Sequence, residues 1–423
     1  MSRESSLDRR EFIKSAAVAA AASSGFLGAP GSRGAAESGS VSPPGRKVTI
    51  QRIEAFALLY PMVGRFKFFE GPKGRPAGRP SVVVKITGSD GTVGWGQSVP
   101  VPKWSYETLE SVFTTLERYL GPALLGLDPF DADEIDAVLR RTIAPSFSTG
   151  QPICKAGLDL ALFDLTGRLL GKSASQRWGR KGKDRLTLSW TLNPKSLDEV
   201  EDLIALGWKR GYRNFNVKVA PDPKVDIELC RLVKRLVPDG FLWADANGGY
   251  DEKTALEVLP KLADLGVPVI EQPLPANRLG GYRRLKKQGA LPILMDEGIV
   301  STVELEEFIQ LGLLDGVAMK PARCGGILEA RRQIETVLNA GLMWLGSGLT
   351  DPDVSLAASL ALYGAYGLER PAALNGPQFL AGSVLRKPFE VVGGELTVPV
   401  GAGLGVEMDE AQLDRLRVKD IGL

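Results

Sequence analysis

The sequence feature that most constrains the fold is a series of short apolar segments, each of which ends in a charged residue. The charged residues are Lys218, Asp245, Glu271, Asp296 and Lys320, and they follow one another at intervals of 27, 26, 25 and 24 residues. An interval of about 25 residues is what a strand, a short loop and a crossover helix occupy together. The spacing therefore predicts repeated strand–helix units with a parallel sheet, and five or more such units suggest closure into a barrel.

Amphipathic stretches fill the gaps between these segments, at residues 224–237, 253–265, 303–311 and 327–340. Because the carboxyl ends of barrel strands converge on one mouth, three carboxylates and two lysines are expected to meet there. Three converging acids would repel one another unless a hard divalent cation neutralised them, and all-oxygen ligation indicates Mg²⁺, with Mn²⁺ also possible. A structural cluster of ion pairs is the alternative.

These segments resemble the enolase superfamily and, within it, the muconate lactonizing enzyme-like subgroup of the muconate lactonizing enzyme / mandelate racemase family. The matching residues, in chain order, are Asn216, Lys218, Asp245, Asn247, Glu271, Asp296, Glu297, Lys320, Gly325 and Gly326. The resemblance extends from about Val48 to the C-terminus. It implies an α/β fold: a modified TIM barrel, (β/α)7β, with an N-terminal α+β capping domain that the C-terminal segment completes. The expected divisions are a leader and linker (residues 1–40), the capping domain (46–180), the barrel (181–385) and the C-terminal segment (386–423).

The site expected from these observations has three parts. Lys218 and Lys320 are expected to be the catalytic acid/base pair, and Asp245, Glu271 and Asp296 are expected to be the metal ligands. Two further polar residues, Asn247 and Glu297, should orient these groups, and the candidate substrate-binding residues are Asn216, Thr350 and Asp351.

The expected chemistry is removal of the proton beside a carboxylate through an enolate intermediate, with the metal absorbing the charge that develops. Lys218 and Lys320 lie four strands apart, so they should face opposite sides of a bound substrate. A racemase or epimerase is therefore the main expectation. The alternatives, in order, are a muconate-type cycloisomerase, a lysine-based dehydratase and a carboxylate-binding protein that has lost turnover.

The sequence departs from its relatives at three places. Many relatives carry Lys-x-Lys where this chain has Asn216 ahead of Lys218. Muconate-type relatives often carry a glutamate in the region where Thr350 lies. Dipeptide epimerases carry Asp-x-Asp where this chain has Ala373 and Asn375. A free substrate ammonium would lack its usual partner, so dipeptide epimerisation is disfavoured.

Composition narrows the chemistry further. The 423 residues contain no histidine, which excludes Ser-His, Cys-His and His-metal mechanisms and the His–Asp base of the mandelate racemase branch. A net charge of +2 gives no case for nucleic acid as a partner. The three cysteines form no CxxC pair and no disulfide framework. A small-molecule carboxylate is the expected partner, and the resemblance also implies a homo-oligomer.

Two segments outside the repeated strand–helix units, near the N-terminus and at residues 60–80, allow further predictions. Arg9, Arg10, Phe12 and Lys14 precede an alanine-rich run, which predicts a twin-arginine export signal and a periplasmic or extracellular protein. That run is too short for a stable membrane span. Residues 60–80 form a long basic and aromatic loop, which in relatives covers the barrel mouth. A basic loop at that position suits an anionic substrate, and a solvated flexible loop is the alternative.

Overall fold

The computed structural model describes residues 47–70, 78–145 and 149–421. The predicted export signal lies outside these residues, so export and localisation stay predictions. Within the described part of the chain, no helix is both long enough and apolar enough to cross a membrane.

The strands of the described residues form three sheets. The first is antiparallel (β1–β2–β3), the second has seven strands and runs from β5 to β11 in chain order, and the third pairs β4 with β12. The strands are β1 (Ile50–Tyr60), β2 (Arg79–Gly88), β3 (Val93–Ser98), β4 (Arg185–Thr187), β5 (Ser189–Leu192), β6 (Asn214–Lys218), β7 (Leu242–Asp245), β8 (Val269–Glu271), β9 (Ile293–Met295), β10 (Gly316–Met319), β11 (Met343–Gly346) and β12 (Glu395–Thr397).

Helices alternate with the strands of the seven-stranded sheet, as the 25-residue spacing predicts. In chain order the helices are α1 (Leu109–Thr115), α2 (Gly121–Leu124), α3 (Ala132–Thr142), α4 (Pro152–Leu170), α5 (Ala174–Arg177), α6 (Val200–Lys209), α7 (Pro223–Leu236), α8 (Glu252–Asp264), α9 (Leu279–Gln288), α10 (Thr302–Gln310), α11 (Ile327–Asn339), α12 (Asp353–Ala365), α13 (Gly376–Phe379) and α14 (Glu410–Leu416).

The barrel closes through a short segment between β11 and β5. Ala373 forms a parallel bridge with Ser347, and Ala372 forms another with Leu188. The Ala373 N–H donates to the Gly346 carbonyl at 2.8 Å, and the Ser189 N–H donates to the Ala372 carbonyl at 2.9 Å. The eighth barrel position is therefore held by two residues rather than by a full strand, and the predicted (β/α)7β fold class is confirmed.

The capping residues pack against the barrel through helix α4. This helix lies so close to β3 that a Cβ atom added at Gly96 would meet the Gly157 carbonyl oxygen at 1.9 Å, so glycine is needed there. The Asp159 carboxylate of α4 accepts the Ile327 N–H at 2.6 Å and so caps α11 of the barrel. Helix α4 thus joins the two parts of the fold.

The C-terminal segment returns to the N-terminal sheet. The Val418 N–H donates to the Ala57 carbonyl at 2.9 Å, and Lys85 pairs with Glu410 at 3.0 Å. On its way the chain forms β12, which pairs with β4 instead of joining the barrel. Residues 185–192 hold two strands, because the bridging residue Leu188 separates β4 from β5 and these two strands belong to different sheets. The domain boundaries given above stay predictions.

Glu107 provides the cap that the start of α4 lacks. Gln151 precedes the helix without a side-chain capping bond, and the Glu107 carboxylate instead accepts the N–H groups of Ile153 and Cys154 at 2.8 and 2.7 Å. Burial raises the pKa of Glu107 from 4.5 to about 7, although these two hydrogen bonds oppose the shift. The capping carboxylate therefore pays a desolvation cost whenever it is ionised.

We expect a pH-dependent difference in stability between the wild type and Glu107→Gln. Because its pKa is raised in the folded state, the Glu107 carboxyl binds a proton more tightly in the folded protein than in the unfolded chain. The stability that this protonation gives the wild type is therefore fully present below pH 4.5 and is lost as the pH rises through about 7. The wild type should lose free energy of unfolding relative to Glu107→Gln across that window, by at most about 1.4 kcal/mol per pH unit. Urea denaturation at several pH values measures the difference. Exposed Glu110→Gln is the matched control, and the same pH trend in both variants would contradict the assignment.

Candidate active site

The carboxyl ends of the barrel strands bring the predicted charged residues together. Lys218 lies opposite Asp245 in the pairing of β6 with β7, and Asp245 lies opposite Glu271 in the pairing of β7 with β8. Asp296 and Lys320 immediately follow β9 and β10. A cavity opens above them, and Lys218 and Lys320 are among its lining residues. The spacing argument from the sequence thus places both lysines at one mouth.

Lys218 and its neighbours form one half of this centre. The Lys218 ammonium makes an ion pair with the Asp245 carboxylate. Asn247 orients the same carboxylate, because its backbone N–H donates to Asp245 Oδ1 at 2.9 Å and its side-chain amide donates to Oδ2 at 3.3 Å. On the other side, the ring centre of Phe66 lies 5.9 Å from Lys218 Nζ. Lys218 therefore lies between a carboxylate of the barrel and an aromatic ring of the capping residues.

Lys320 occupies the matching position across the mouth. Its ammonium makes an ion pair with Asp296 and lies 3.4 Å from Glu271 Oε1, and the Trp104 ring centre is 5.2 Å from Nζ. Burial alone would lower the pKa of Lys320, but the facing carboxylates of Asp296 and Glu271 outweigh burial and raise that pKa. Each lysine thus has carboxylates on one side and an aromatic ring of the capping residues on the other.

The carboxylates of the centre differ in how strongly nearby positive charges stabilise their ionised forms. Burial and the neighbouring Asp245 raise the pKa of Glu271, and burial and Asp296 raise the pKa of Glu297. Burial also opposes ionisation of Asp296, but the Lys320 ammonium and the Arg323 guanidinium hold its pKa below the ordinary value. Burial therefore disfavours the ionised forms of Glu271 and Glu297, whereas nearby cations keep Asp296 ionised.

A bound divalent cation would favour the ionised forms of Glu271 and Glu297. In the described residues no group of three Asp, Glu or Cys side chains is arranged to hold a metal ion. Lys218 pairs with Asp245, and Lys320 lies against both Glu271 and Asp296. Glu271 Oε2 and Glu297 Oε2 are nevertheless buried without a hydrogen-bond partner. Buried carboxylate oxygens without donors are the ligands that Mg²⁺ and Mn²⁺ prefer. The donor set therefore fits the metal that the sequence predicts.

Two residues that the sequence did not single out position Asp296. Arg323 is 1% exposed and donates to Asp296 Oδ1 at 2.6 Å, and Gln272 accepts the Asp296 N–H at 2.9 Å. Gln272 has a φ of 40°, a conformation that few non-glycine residues adopt. Arg323 lies three residues after Lys320, and Gln272 directly follows Glu271, so their positions next to predicted site residues could have marked them.

The capping segment before residue 70 is attached to the barrel beside Lys218. The Lys67 N–H donates to Asn193 Oδ1 at 2.9 Å, and Phe66 stacks on Phe379 with ring centres 4.8 Å apart. Burial, followed by the nearby Lys218 charge, lowers the pKa of Lys67 to about 8. Phe66, Phe68 and Phe69 all line the cavity. In its described part, the 60–80 loop therefore covers the mouth, as expected from the relatives.

The three candidate substrate-binding residues occupy different places. Asn216 and Thr350 line the cavity. Asp351 does not line it: its carboxylate accepts the Leu349 N–H at 3.3 Å and the Ser359 hydroxyl at 3.5 Å. The structure therefore brings Asn216 and Thr350 to the site and leaves Asp351 within the loop that follows β11. Asn375, one of the positions at which this chain departs from dipeptide epimerases, also lines the cavity.

Arg79, at the end of the basic loop of residues 60–80, contacts the protein backbone and does not face a substrate. Its guanidinium is fully buried and donates to the carbonyls of Pro80, Val99, Pro100 and Leu349 at 2.7 to 2.9 Å. Burial lowers the pKa of Arg79 to about 9. Because its donors are used on backbone carbonyls, Arg79 joins the capping residues to the barrel loop beside the cavity and does not face a substrate.

Replacing Arg79 with methionine should destabilise the fold strongly. The four carbonyls would stay buried without their donors, and each such group costs about 1–3 kcal/mol. We expect the free energy of unfolding in guanidinium chloride to fall by more than about 3 kcal/mol. Arg52→Met is the control, because that side chain is 61% exposed. Equal losses in the two variants would show that the carbonyl contacts of Arg79 contribute little.

Comparison with known proteins extends over both parts of the fold. Residues 199–412 match the family described as Enolase C-terminal domain-like, and residues 77–179 match the one described as Mandelate racemase / muconate lactonizing enzyme, N-terminal domain. Chloromuconate cycloisomerase CbnB of Cupriavidus necator is 31% identical over 338 residues, which cover 78% of this chain and 89% of that protein.

Two further similarities differ in the activity that their names state. N-succinyl-L-Arg/Lys racemase of Bacillus cereus is 27% identical, over 87% of this chain and 98% of that protein. The solved structure of muconate lactonizing enzyme from Pseudomonas putida has a TM-score of 0.78 and 26% identity, over 88% of this chain and 100% of that structure. The similar proteins therefore include both a racemase and cycloisomerases.

Proposed function

Because the chain belongs to the mandelate racemase / muconate lactonizing enzyme family of the enolase superfamily, we propose that it is a racemase or epimerase of a small carboxylate. It is an isomerase of that superfamily. The observation that carries the finer proposal is the pair of lysines on opposite sides of one cavity, each next to a carboxylate of the barrel.

In the proposed reaction the two lysines exchange one proton with the substrate. One lysine, in its neutral form, takes the proton from the carbon beside the substrate carboxylate, and the electron pair of that C–H bond moves into the carboxylate group. The other lysine, as an ammonium, returns a proton to the opposite face of the same carbon, which inverts its configuration. Proton transfer by a positioned side chain contributes about 10²–10⁴-fold to the rate.

Asp245, Glu271 and Asp296 would hold Mg²⁺, or Mn²⁺ in its place. A bound divalent cation supplies the positive charge that stabilises the negative charge developing on the substrate carboxylate. Asn247 and Arg323 keep two of these carboxylates in place through the contacts described above. Phe66 and Trp104 cover the lysines and limit the access of water from the capping side.

Exchange of the substrate α-proton with solvent deuterium tests the proposal. A library of small carboxylates is incubated with enzyme and Mg²⁺ in D₂O and followed by NMR. Deuterium should enter the α-position of at least one compound in a magnesium-dependent manner, and both enantiomers of that compound should form. Magnesium-dependent binding without any exchange would favour a carboxylate-binding protein and would overturn the proposed reaction.

A muconate-type cycloisomerase is the second candidate. It is supported by the names of relatives such as chloromuconate cycloisomerase of Cupriavidus necator, which is more similar in sequence than the racemase of Bacillus cereus. Lactone formation from an unsaturated diacid, with no inversion of any α-carbon in the library, would favour this candidate over the racemase.

A further inference from the structure

A second cavity lies outside the barrel, where the C-terminal segment passes the residues that close it. Its volume is about 480 Å³, which falls within the range of about 300–1,000 Å³ that is typical of ligand sites. Its walls come from the residues that follow α6, from the start of α12 and from residues 376–391. Because residues 380–394 form no helix, the covering of the barrel is incomplete at this position.

The second cavity and the cavity at the barrel mouth share a wall but have no lining residue in common. Thr350 and Asn375 line the cavity at the mouth, whereas the residues that directly follow them, Asp351 and Gly376, line the second cavity. The two loops touch, because a Cβ atom added at Gly376 would meet the Asp351 carbonyl oxygen at 2.1 Å. A ligand of the second cavity would therefore contact these loops from the side opposite a substrate.

One end of the second cavity offers hydrogen-bond donors that the protein does not use. Arg210 is exposed and pairs with no carboxylate within the described chain, and its guanidinium lies 5.5 Å from the ring centre of Trp190. Tyr212 is 2% exposed, yet its hydroxyl has no hydrogen-bond partner among the described residues. Burial raises the pKa of Tyr212 to about 12, against the effect of the Arg210 charge, so the hydroxyl keeps its proton at neutral pH. The phenol and the guanidinium can therefore both donate to a ligand.

Two carboxyl groups also line the second cavity, but both are already used by the fold. Asp353 accepts the Tyr60 hydroxyl at 2.7 Å and the Val384 N–H at 2.8 Å, and Asp351 accepts the contacts within its own loop described above. Burial raises the pKa of both carboxyl groups. These acids therefore make a poor site for a cationic ligand, and the unpaired charge of the cavity is the positive charge of Arg210.

Much of the remaining wall is apolar. Leu356 is buried, and Leu380, Phe389 and Val391 are partly buried and pack against the barrel core. Apolar surface that faces a cavity of this size favours a ligand with an apolar body, because both surfaces leave water on binding.

We propose that the second cavity binds an amphipathic carboxylate, with its carboxylate at Arg210 and Tyr212 and its apolar body against Leu356 and Phe389. A planar guanidinium matches the two oxygens of a carboxylate, and one guanidinium balances one negative charge. A phosphate dianion would keep an unbalanced charge at the same place. The site lies outside the barrel mouth and does not depend on the proposed function.

Octanoate binding to the full-length protein in the presence of Mg²⁺ tests the class of ligand. Isothermal titration calorimetry compares octanoate with acetate, 1-octanol and octyl phosphate. We expect octanoate to bind at least about 10²-fold more tightly than acetate, because its additional methylene groups are buried. It should bind at least about tenfold more tightly than 1-octanol, which has no charge to place beside Arg210. Absence of octanoate binding, or tighter binding of 1-octanol or octyl phosphate, overturns the proposal.

Two variants locate the bound octanoate. Arg210→Met should weaken octanoate binding by at least about tenfold and leave the affinity for 1-octanol unchanged, and Tyr212→Phe should weaken octanoate binding by about fivefold. Lys209→Met is the matched control, because it removes an equal exposed charge one residue away from Arg210 and does not line the cavity. Thermal unfolding checks that each variant is folded. Unchanged octanoate affinity in Arg210→Met, or an equal loss in Lys209→Met, would place octanoate elsewhere, the barrel mouth included, and would overturn the proposal.

Discussion

Glu271→Gln should lower kcat/KM by at least about 10³-fold while the protein stays folded. Glu271 is 1% exposed, lies opposite Asp245 in register, and has one carboxylate oxygen without a partner. Removing a metal ligand removes several kcal/mol of charge stabilisation, and each 1.4 kcal/mol corresponds to about a factor of ten in rate. Asp245→Asn should lose a similar amount. Steady-state kinetics of the exchange reaction measure both losses.

Thermal unfolding separates loss of metal from loss of fold. Without added metal, Glu271→Gln should be at least as stable as the wild type, because burial and the neighbouring acids disfavour the ionised Glu271 carboxylate. At a magnesium concentration of a hundred times Kd, the wild type should gain about 2.7 kcal/mol and the variant should gain little. Exposed Glu257→Gln is the isosteric control. Full activity in Glu271→Gln, or an unchanged response to magnesium, would remove this residue from the metal site.

The barrel was predictable from the sequence because its strands are short and buried and each one ends at a charged residue. That pattern can be read along the chain itself, and each of β6 to β10 ends at the predicted charged residue or one residue before it. Helix α9 was not predicted from its own sequence. Its Gly280 and Gly281 and its many basic residues weaken the apolar periodicity, and buried Tyr282 and Leu285 hold it against the barrel.

The parts of the site that the sequence did not predict depend on contacts between distant segments. Trp104 reaches Lys320 across 216 positions of the chain, and Phe66 reaches Lys218 because Asn193 fixes the segment beside it. Asp351 was a reasonable candidate from its position after β11, but the loop turns its carboxylate onto its own backbone. The direction of a loop side chain is set by such packing, which no spacing rule along the chain specifies.

Lys218→Ala and Lys320→Ala should each reduce inversion of the substrate by about 10²–10⁴-fold but should differ in which enantiomer still exchanges its α-proton. The two side chains approach the cavity from β6 and from the end of β10, so each can reach only one face of a carbon held between them. Each variant should therefore keep exchange on the enantiomer whose proton faces the remaining lysine. NMR of each pure enantiomer in D₂O measures the two rates separately.

The same arrangement of the two lysines provides a control variant and distinguishes racemisation from cycloisomerisation. Exposed Lys224→Ala, at the start of the helix after β6, removes an equal charge outside the cavity and should leave both exchange rates unchanged. In a cycloisomerase one lysine moves the proton and the other stabilises charge, so a single variant would abolish exchange and the other would slow it for every substrate. Equal losses on both enantiomers in both variants would therefore exclude two-base racemisation, because they would mean that neither lysine acts on one face alone.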